Sequence, residues 1–128
     1  MNCKYSLDSY AWAEFFDGTE KGKQVKELIE NEEIATSIIT IAELSDKCAK
    51  EGRELRPFIE FIQSKAVIIP LNLEIATNAG KLKLELRKIS KNISLADSIH
   101  FQTAKITSTI FVTGDPDFKD VKGILFLG

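Results

Sequence analysis

The sequence predicts an α/β fold, a three-layer α/β/α sandwich in which helices cover both faces of a parallel sheet. Short apolar runs alternate along the chain with longer amphipathic segments, and this alternation is typical of such sheets. No long linker rich in Gly, Pro or Ser interrupts it. Because 128 residues is an ordinary size for one domain, we expect a single domain over residues 1–128.

The short apolar runs are the strand candidates. They lie at 3–7, 33–37, 66–70, 109–113 and 124–127. Compact apolar runs of this kind, bounded by turn residues, are typical of strands that are buried on both faces of a parallel sheet.

The amphipathic segments are the helix candidates, and some carry clear stop signals. Asp17-Gly18 ends the first helix and Gly52 ends the third. The segments lie at 9–16, 21–31, 40–50, 54–64, 73–89 and 95–106. Right-handed crossovers would then place a functional crevice beyond the carboxyl ends of the strands.

The composition narrows the classes of function. A formal net charge of −2 argues against strong binding of nucleic acid through bulk charge, although a local basic stripe or a metal-mediated contact stays open. No apolar run approaches the roughly 20 residues of a membrane span. The first ten residues lack a signal peptide's basic flank and apolar stretch, so we expect a cytoplasmic protein without a membrane partner.

The scarcity of cysteine and histidine restricts the metals that the chain can hold. Cys3 and Cys48 show no metal-binding spacing and are expected to be reduced and structural, and His100 is the only histidine. A zinc site built from these residues is therefore not expected. A metal would have to be held mainly by carboxylates, which favours Mg²⁺ or Mn²⁺.

Two acidic residues follow strand candidates, and two others interrupt apolar helix segments. Asp8 comes directly after the first strand, and Asp115 follows the strand at 109–113. Glu43 and Asp97 are each the only charge among their neighbours, so we expect both carboxylates to be at least partly buried. A buried carboxylate must be paired, protonated or bound to metal.

Each acid also has a purely structural interpretation. Asp8 is a natural N-cap, Asp115 lies in a turn that favours Asp, Glu43 could face solvent, and Asp97 could cap its helix or pair in the core. Together, however, four carboxylates would repel one another unless a cation neutralises them. One or two divalent ions would do so and would also activate water for attack on a phosphodiester.

Four motifs around these acids resemble, in order and coarse spacing, the PIN-domain superfamily and within it the VapC-type ribonuclease toxins. They are Leu7-Asp8-Ser9, Thr40-Ile41-Ala42-Glu43-Leu44, Leu95-Ala96-Asp97-Ser98-Ile99, and Val112-Thr113-Gly114-Asp115 followed by Asp117-Phe118. The resemblance runs from residue 3 to the final strand and so covers essentially the whole chain.

The resemblance implies an α/β/α sandwich with about five parallel strands. It also implies cleavage of single-stranded RNA that depends on Mg²⁺ or Mn²⁺. By the same resemblance, the catalytic acids that hold the metal are Asp8, Glu43, Asp97 and Asp115. Thr113 matches a hydroxyl residue that often supports the last acid, and Asp117 is a candidate outer member of the site.

The resemblance further implies a homodimer and a separate small antitoxin protein that can occlude the acidic pocket. Two alternatives stay open: a PIN-like module that binds RNA or protein without cutting, and an RNA-processing nuclease outside any toxin-antitoxin pair. Other phosphate enzymes are disfavoured. A haloacid-dehalogenase-like phosphatase needs Asp-x-Asp after the first strand, a receiver domain needs an Asp after the third, and a ribonuclease-H-like fold begins with antiparallel strands.

Three further features have more ordinary interpretations. His100 lies three residues after Asp97 on the same helix face, but a packed or capped histidine is the favoured interpretation over an outer-shell group or general acid. Basic residues that could steer RNA are expected to form a solvated helix face. These are Lys81, Lys83, Arg87, Lys88 and Lys91. Three aromatic residues are expected to pack in the core or a dimer seam instead of stacking on bases. These are Trp12, Phe15 and Phe16.

Overall fold

The computed structural model describes residues 1–128 and is built on a five-stranded parallel sheet. The strands are β1 (Tyr5–Leu7), β2 (Ile34–Ser37), β3 (Ala66–Ile69), β4 (Ile110–Thr113) and β5 (Leu125–Phe126). Their spatial order is β3-β2-β1-β4-β5, and every neighbouring pair is parallel. The predicted fold class is therefore confirmed.

Six α-helices flank the sheet. They are α1 (Ser9–Asp17), α2 (Glu20–Asn31), α3 (Ile38–Glu51), α4 (Arg56–Lys65), α5 (Leu73–Leu86) and α6 (Leu95–Ile106), and a short 3₁₀ helix, Pro116–Phe118, precedes β5. All predicted elements are present, with ends that shift by up to three residues. The largest shift is at the end of α5, where the N–H groups of Ile89 and Ser90 bond to the Leu86 carbonyl and close the helix early.

Local capping explains where the helices nearest the sheet edge begin and end. The Ser37 hydroxyl accepts the Ile39 N–H at 3.2 Å, so α3 begins directly after β2, two residues before the predicted start. α1 and α3 end at Gly18 and Gly52, which both adopt a φ of 68° that favours glycine. The two glycine stop signals are thus confirmed.

The sheet separates two apolar cores. Phe111 and Val112 are neighbours in β4 but belong to different clusters, because successive side chains of a strand point to opposite faces. Trp12 is fully buried in one core, where its Nε1 donates to the Thr36 hydroxyl at 3.2 Å. The core-packing prediction for this tryptophan is confirmed. None of the helices has the length and apolar character that a membrane span would need.

Candidate active site

The order of the strands brings two of the predicted acids to the same edge of the sheet. β1 pairs with β4, and Leu7 lies opposite Val112. Asp8 follows Leu7 directly, and Asp115 follows the end of β4 by two residues. Because parallel strands share a carboxyl edge, both carboxylates emerge beside each other there.

The other two acids come from helices that reach the same edge. Glu43 lies on α3, which begins where β2 ends, and Asp97 lies in the first turn of α6. One pocket of about 200 Å³ is lined by all four predicted acids together with Ser9, Tyr10, Ala13, Leu44 and Lys47. The structure therefore brings together four acids that are up to 107 residues apart in sequence.

Asp8 is the most deeply buried of the four carboxylates, with 4% of its surface exposed. Burial raises its pKa to about 6, and the charge of Asp115 acts in the same direction. The nearby His100, the Thr113 hydroxyl and the Ala11 N–H lower the pKa but do not outweigh burial. Asp8 also caps α1, since its Oδ1 accepts the Ala11 N–H at 2.8 Å.

Asp115 is half-buried and responds to the other acids. Burial raises its pKa, and the negative charges of Asp117, Asp97 and Glu43 raise it further. The Asp117 N–H, which donates to Asp115 Oδ1 at 2.9 Å, acts in the opposite direction. The carboxylates are thus close enough to disfavour each other's ionisation, and a cation among them would relieve that repulsion.

Glu43 is stabilised as a carboxylate by two donors from other helices. Its Oε1 accepts a hydrogen bond from the Ser9 hydroxyl at 2.9 Å and another from His100 Nε2. Burial alone would raise its pKa, but the hydrogen bond and charge of His100, together with the Ser9 hydroxyl, outweigh burial, so the pKa is lowered.

Asp97 has a structural role in addition to its place in the pocket. Its Oδ2 accepts the Ser94 N–H at 2.9 Å, and its own N–H donates to the Ser94 hydroxyl at 3.0 Å. This reciprocal arrangement is a capping box, which stabilises the start of α6. The capping interpretation is therefore correct for this residue, and it is compatible with a carboxylate that also lines the pocket.

The two candidate supporting residues, Thr113 and Asp117, do not line the pocket. The fully buried Thr113 hydroxyl accepts the Asp115 N–H at 3.0 Å, so it contacts the backbone of the last acid, and its supporting role stays a prediction. Asp117 supports the same acid through its backbone N–H. Gly114, which lies between these two residues in the sequence, is tightly packed, since a Cβ atom there would lie 2.8 Å from Tyr10 Cε1.

Sequence reasoning missed several residues of the pocket. Ser9, Tyr10 and Lys47 line it, and His100 is bonded to one of its acids. Lys47 follows Glu43 by one helical turn, so the i,i+4 spacing was an available signal. His100 is packed, as expected, but it contacts Glu43 on another helix, which no local pattern indicates. The basic residues around α5 do not line the pocket.

The side chains that line the pocket are of the chemical type that binds a hard divalent cation. All four candidate ligands are carboxylates, and oxygen ligands favour Mg²⁺ or Mn²⁺ over zinc. In Glu43, Asp97 and Asp115, one oxygen accepts a hydrogen bond from the protein while the other accepts none. No three of these side chains are gathered tightly enough to form a ready-made ion site. The four carboxylates and their free oxygens nevertheless have the chemical character that a divalent cation requires. The metal assignment stays a prediction.

Comparison with known proteins identifies a family. The model of the PIN domain family matches residues 5–124, which is nearly the whole chain. A sequence comparison with curated proteins finds no match.

Solved structures share the fold over almost their full length. A toxin-antitoxin complex from Klebsiella pneumoniae matches with a TM-score of 0.71 and 23% identity, covering 98% of both chains. VapBC2 from Rickettsia felis, bound to a promoter DNA fragment, matches with a TM-score of 0.71 and 21% identity over 95% of this chain and 96% of that one. Mycobacterium tuberculosis VapC20, a sarcin-ricin loop cleaving toxin, matches with a TM-score of 0.76 and 13% identity over 98% and 100%.

Proposed function

The chain belongs to the PIN domain family, and on that premise we propose that it is a divalent-metal-dependent endoribonuclease that cuts single-stranded RNA. One observation carries the proposal: carboxylates from four separate elements line one pocket at the carboxyl edge of the sheet. Burial raises the pKa of Asp8 and Asp115, which means that it destabilises their charged forms, and a bound cation would offset this effect. In a protein that binds no cation here, a neutral side chain in place of the buried acid would make the fold more stable.

The proposed mechanism assigns a role to each lining group. Asp8, Glu43, Asp97 and Asp115 would hold Mg²⁺ or Mn²⁺, which would lower the pKa of a water molecule and stabilise charge on the phosphodiester. Lys47 is the one basic side chain that lines the pocket, and its nearest carboxylate oxygen is 3.7 Å away, on Asp17. Its ammonium group is placed to attract a backbone phosphate. With so few basic groups, the pocket suits a short single-stranded segment better than a long duplex.

We further propose that the chain is the toxin of a toxin-antitoxin pair and forms a homodimer. The similar structures from Klebsiella pneumoniae and Rickettsia felis are toxin-antitoxin or VapBC complexes, and the Mycobacterium tuberculosis protein is described as a toxin that cleaves the sarcin-ricin loop. The expected partner is a small antitoxin protein. Sedimentation velocity of the purified chain tests the dimer, and growth arrest on induced expression tests the toxin role.

RNA cleavage by the purified protein tests the nuclease. A pool of single-stranded and structured RNAs would be incubated with Mg²⁺, Mn²⁺ or EDTA. We expect metal-dependent cutting that falls at least about 100-fold in Asp8→Asn and Asp97→Asn, because loss of a ligand removes several kcal/mol of transition-state stabilisation. Asp120→Asn is the matched control, since this acid is exposed and lies outside the pocket.

The outcomes separate the candidate functions. Cutting that survives both pocket substitutions would assign the activity to a contaminant or another site. RNA binding without cutting in any metal would instead favour the non-cleaving PIN-like module. Metal-dependent cutting without growth arrest would favour an RNA-processing nuclease outside a toxin-antitoxin pair.

A further inference from the structure

We infer that His100 is a positioning residue of the proposed metal site: it holds one oxygen of Glu43 and leaves the other for the cation. The inference rests on the proposed function, because it concerns the same pocket. It concerns a residue that does not line the pocket and that acts through Glu43.

The first observation is that both hydrogen bonds to Glu43 reach the same oxygen. Oε1 accepts from His100 Nε2 on α6 and from the Ser9 hydroxyl on α1, while Oε2 accepts no hydrogen bond from the protein. A carboxylate oxygen with two donors has little capacity left for a metal ion. Oε2 is therefore the oxygen available for a ligand in the pocket.

The second observation is the environment of the imidazole. His100 is 3% exposed, and its Nδ1 is buried without a hydrogen-bond partner. Leaving a buried polar atom unpaired costs about 1–3 kcal/mol, so packing alone would be served better by an apolar side chain. The contact with Glu43 gives the imidazole a role that packing does not.

The contact with Glu43 assigns a proton to one ring nitrogen. An ionised carboxylate can only accept hydrogen bonds, so the Nε2 atom of His100 must donate to Glu43 Oε1. We therefore assign a proton to Nε2. Contacts within the protein, from His100 and Ser9, orient the Glu43 carboxylate.

Two substitutions at one position test the inference. The amide nitrogen of Gln reaches about as far from the backbone as Nε2, whereas that of Asn reaches only as far as Nδ1. We expect His100→Gln to keep Mn²⁺ affinity within about threefold, and His100→Asn to weaken it about 10–100-fold, as expected for loss of a group that orients a ligand. Affinity would be measured from the EPR signal of free Mn²⁺, without RNA.

Two controls separate positioning from folding. Thermal unfolding in EDTA should show comparable stability for the two His100 variants. In a Glu43→Gln background, His100→Asn should cause no further loss of Mn²⁺ affinity if the histidine acts through this glutamate. A further loss of about 10-fold there would contradict the inference.

A metal-free readout uses the fact that the chain has a single histidine. The ¹⁵N chemical shifts of the imidazole should show a protonated Nε2, and they should change in Glu43→Gln. A bare Nε2, or equal Mn²⁺ affinities for the two His100 variants, would overturn the inference while leaving the metal site intact. If the wild-type protein binds no Mn²⁺, the proposed metal site fails, and the inference fails with it.

Discussion

The strand-end acids and the helix acids of the pocket are held in opposite ways. Asp8 and Asp115 follow neighbouring strands, and burial raises the pKa of both. Glu43 and Asp97 lie on helices, and each accepts hydrogen bonds from neighbouring groups. Side chains from two other helices lower the pKa of Glu43, while Asp97 takes part in a capping box.

This difference shows which of the gathered negative charges destabilise the fold. The fold can accommodate Glu43 without a cation, because its hydrogen bonds already favour the charged form. The strand-end acids have weaker compensation, so a bound cation would stabilise them most. Substitutions at the two kinds of position should therefore change stability in opposite directions.

The largest expected effect on stability is a gain in Asp8→Asn. Burial raises the pKa of Asp8 from 3.8 to about 6, so the wild-type fold loses stability as Asp8 ionises between those pH values. Asn avoids this loss and can still accept the Ala11 N–H as an N-cap. Urea unfolding in EDTA should show no gain below pH 4 and a gain of up to about 3 kcal/mol above pH 6. A loss of stability at every pH would mean that the carboxylate is structural.

The next effect concerns the close approach between Gly114, the residue before Asp115, and the ring of Tyr10. In Gly114→Ala, the new methyl group would lie 2.8 Å from Tyr10 Cε1 and 3.3 Å from Leu127 Cβ. Overpacking of this kind costs about 1–3 kcal/mol. Gly80→Ala is the matched control, since nothing lies within 4 Å of its new methyl group, and it should stabilise α5 by about 0.5–1 kcal/mol. Equal unfolding midpoints for the two variants would contradict the tight fit at Gly114.

A smaller effect distinguishes the two roles of Asp97. Ser94→Ala and Asp97→Ala each break the capping box, so each should lower the free energy of unfolding by about 1 kcal/mol. Only Asp97→Ala removes a carboxylate from the pocket, so only it should abolish Mn²⁺-dependent RNA cleavage. If Ser94→Ala loses cleavage to the same extent, the carboxylate acts only as a cap.

The smallest effect is expected from Asp117→Asn. The substitution removes a negative charge that raises the pKa of Asp115, but it keeps the backbone N–H that donates to the same acid. The pKa of Asp115 should fall, and stability should change by about 0.5 kcal/mol or less. An NMR titration of the Asp115 carboxyl carbon measures this directly, and a rise in its pKa would contradict the assigned interaction.

The sequence predicted the fold well because buried parallel strands require compact apolar runs, and helices require a different spacing. It also predicted which acids meet. Asp8 and Asp115 follow strands, and the carboxyl edge of a parallel sheet is a shared location, whereas Glu43 and Asp97 were conspicuous as single charges in apolar segments.

The partners of these acids could not be predicted in the same way. His100 is 57 residues from Glu43, and their contact depends on how α3 and α6 pack, which neither segment specifies alone. That Asp97 both caps α6 and lines the pocket was also open, because an Asp suits either position. Tertiary packing, and not local pattern, decides such contacts.

The most direct test of the central claim compares wild type and Asp8→Asn with and without saturating Mn²⁺ at pH 7.5. In EDTA, the variant should be the more stable protein. At 100 times the dissociation constant, Mn²⁺ should stabilise wild type by about 2.7 kcal/mol and the variant far less, so that the difference closes or reverses. Equal stabilisation of both proteins by Mn²⁺, or none in either, would contradict the claim that these carboxylates are gathered to hold a cation.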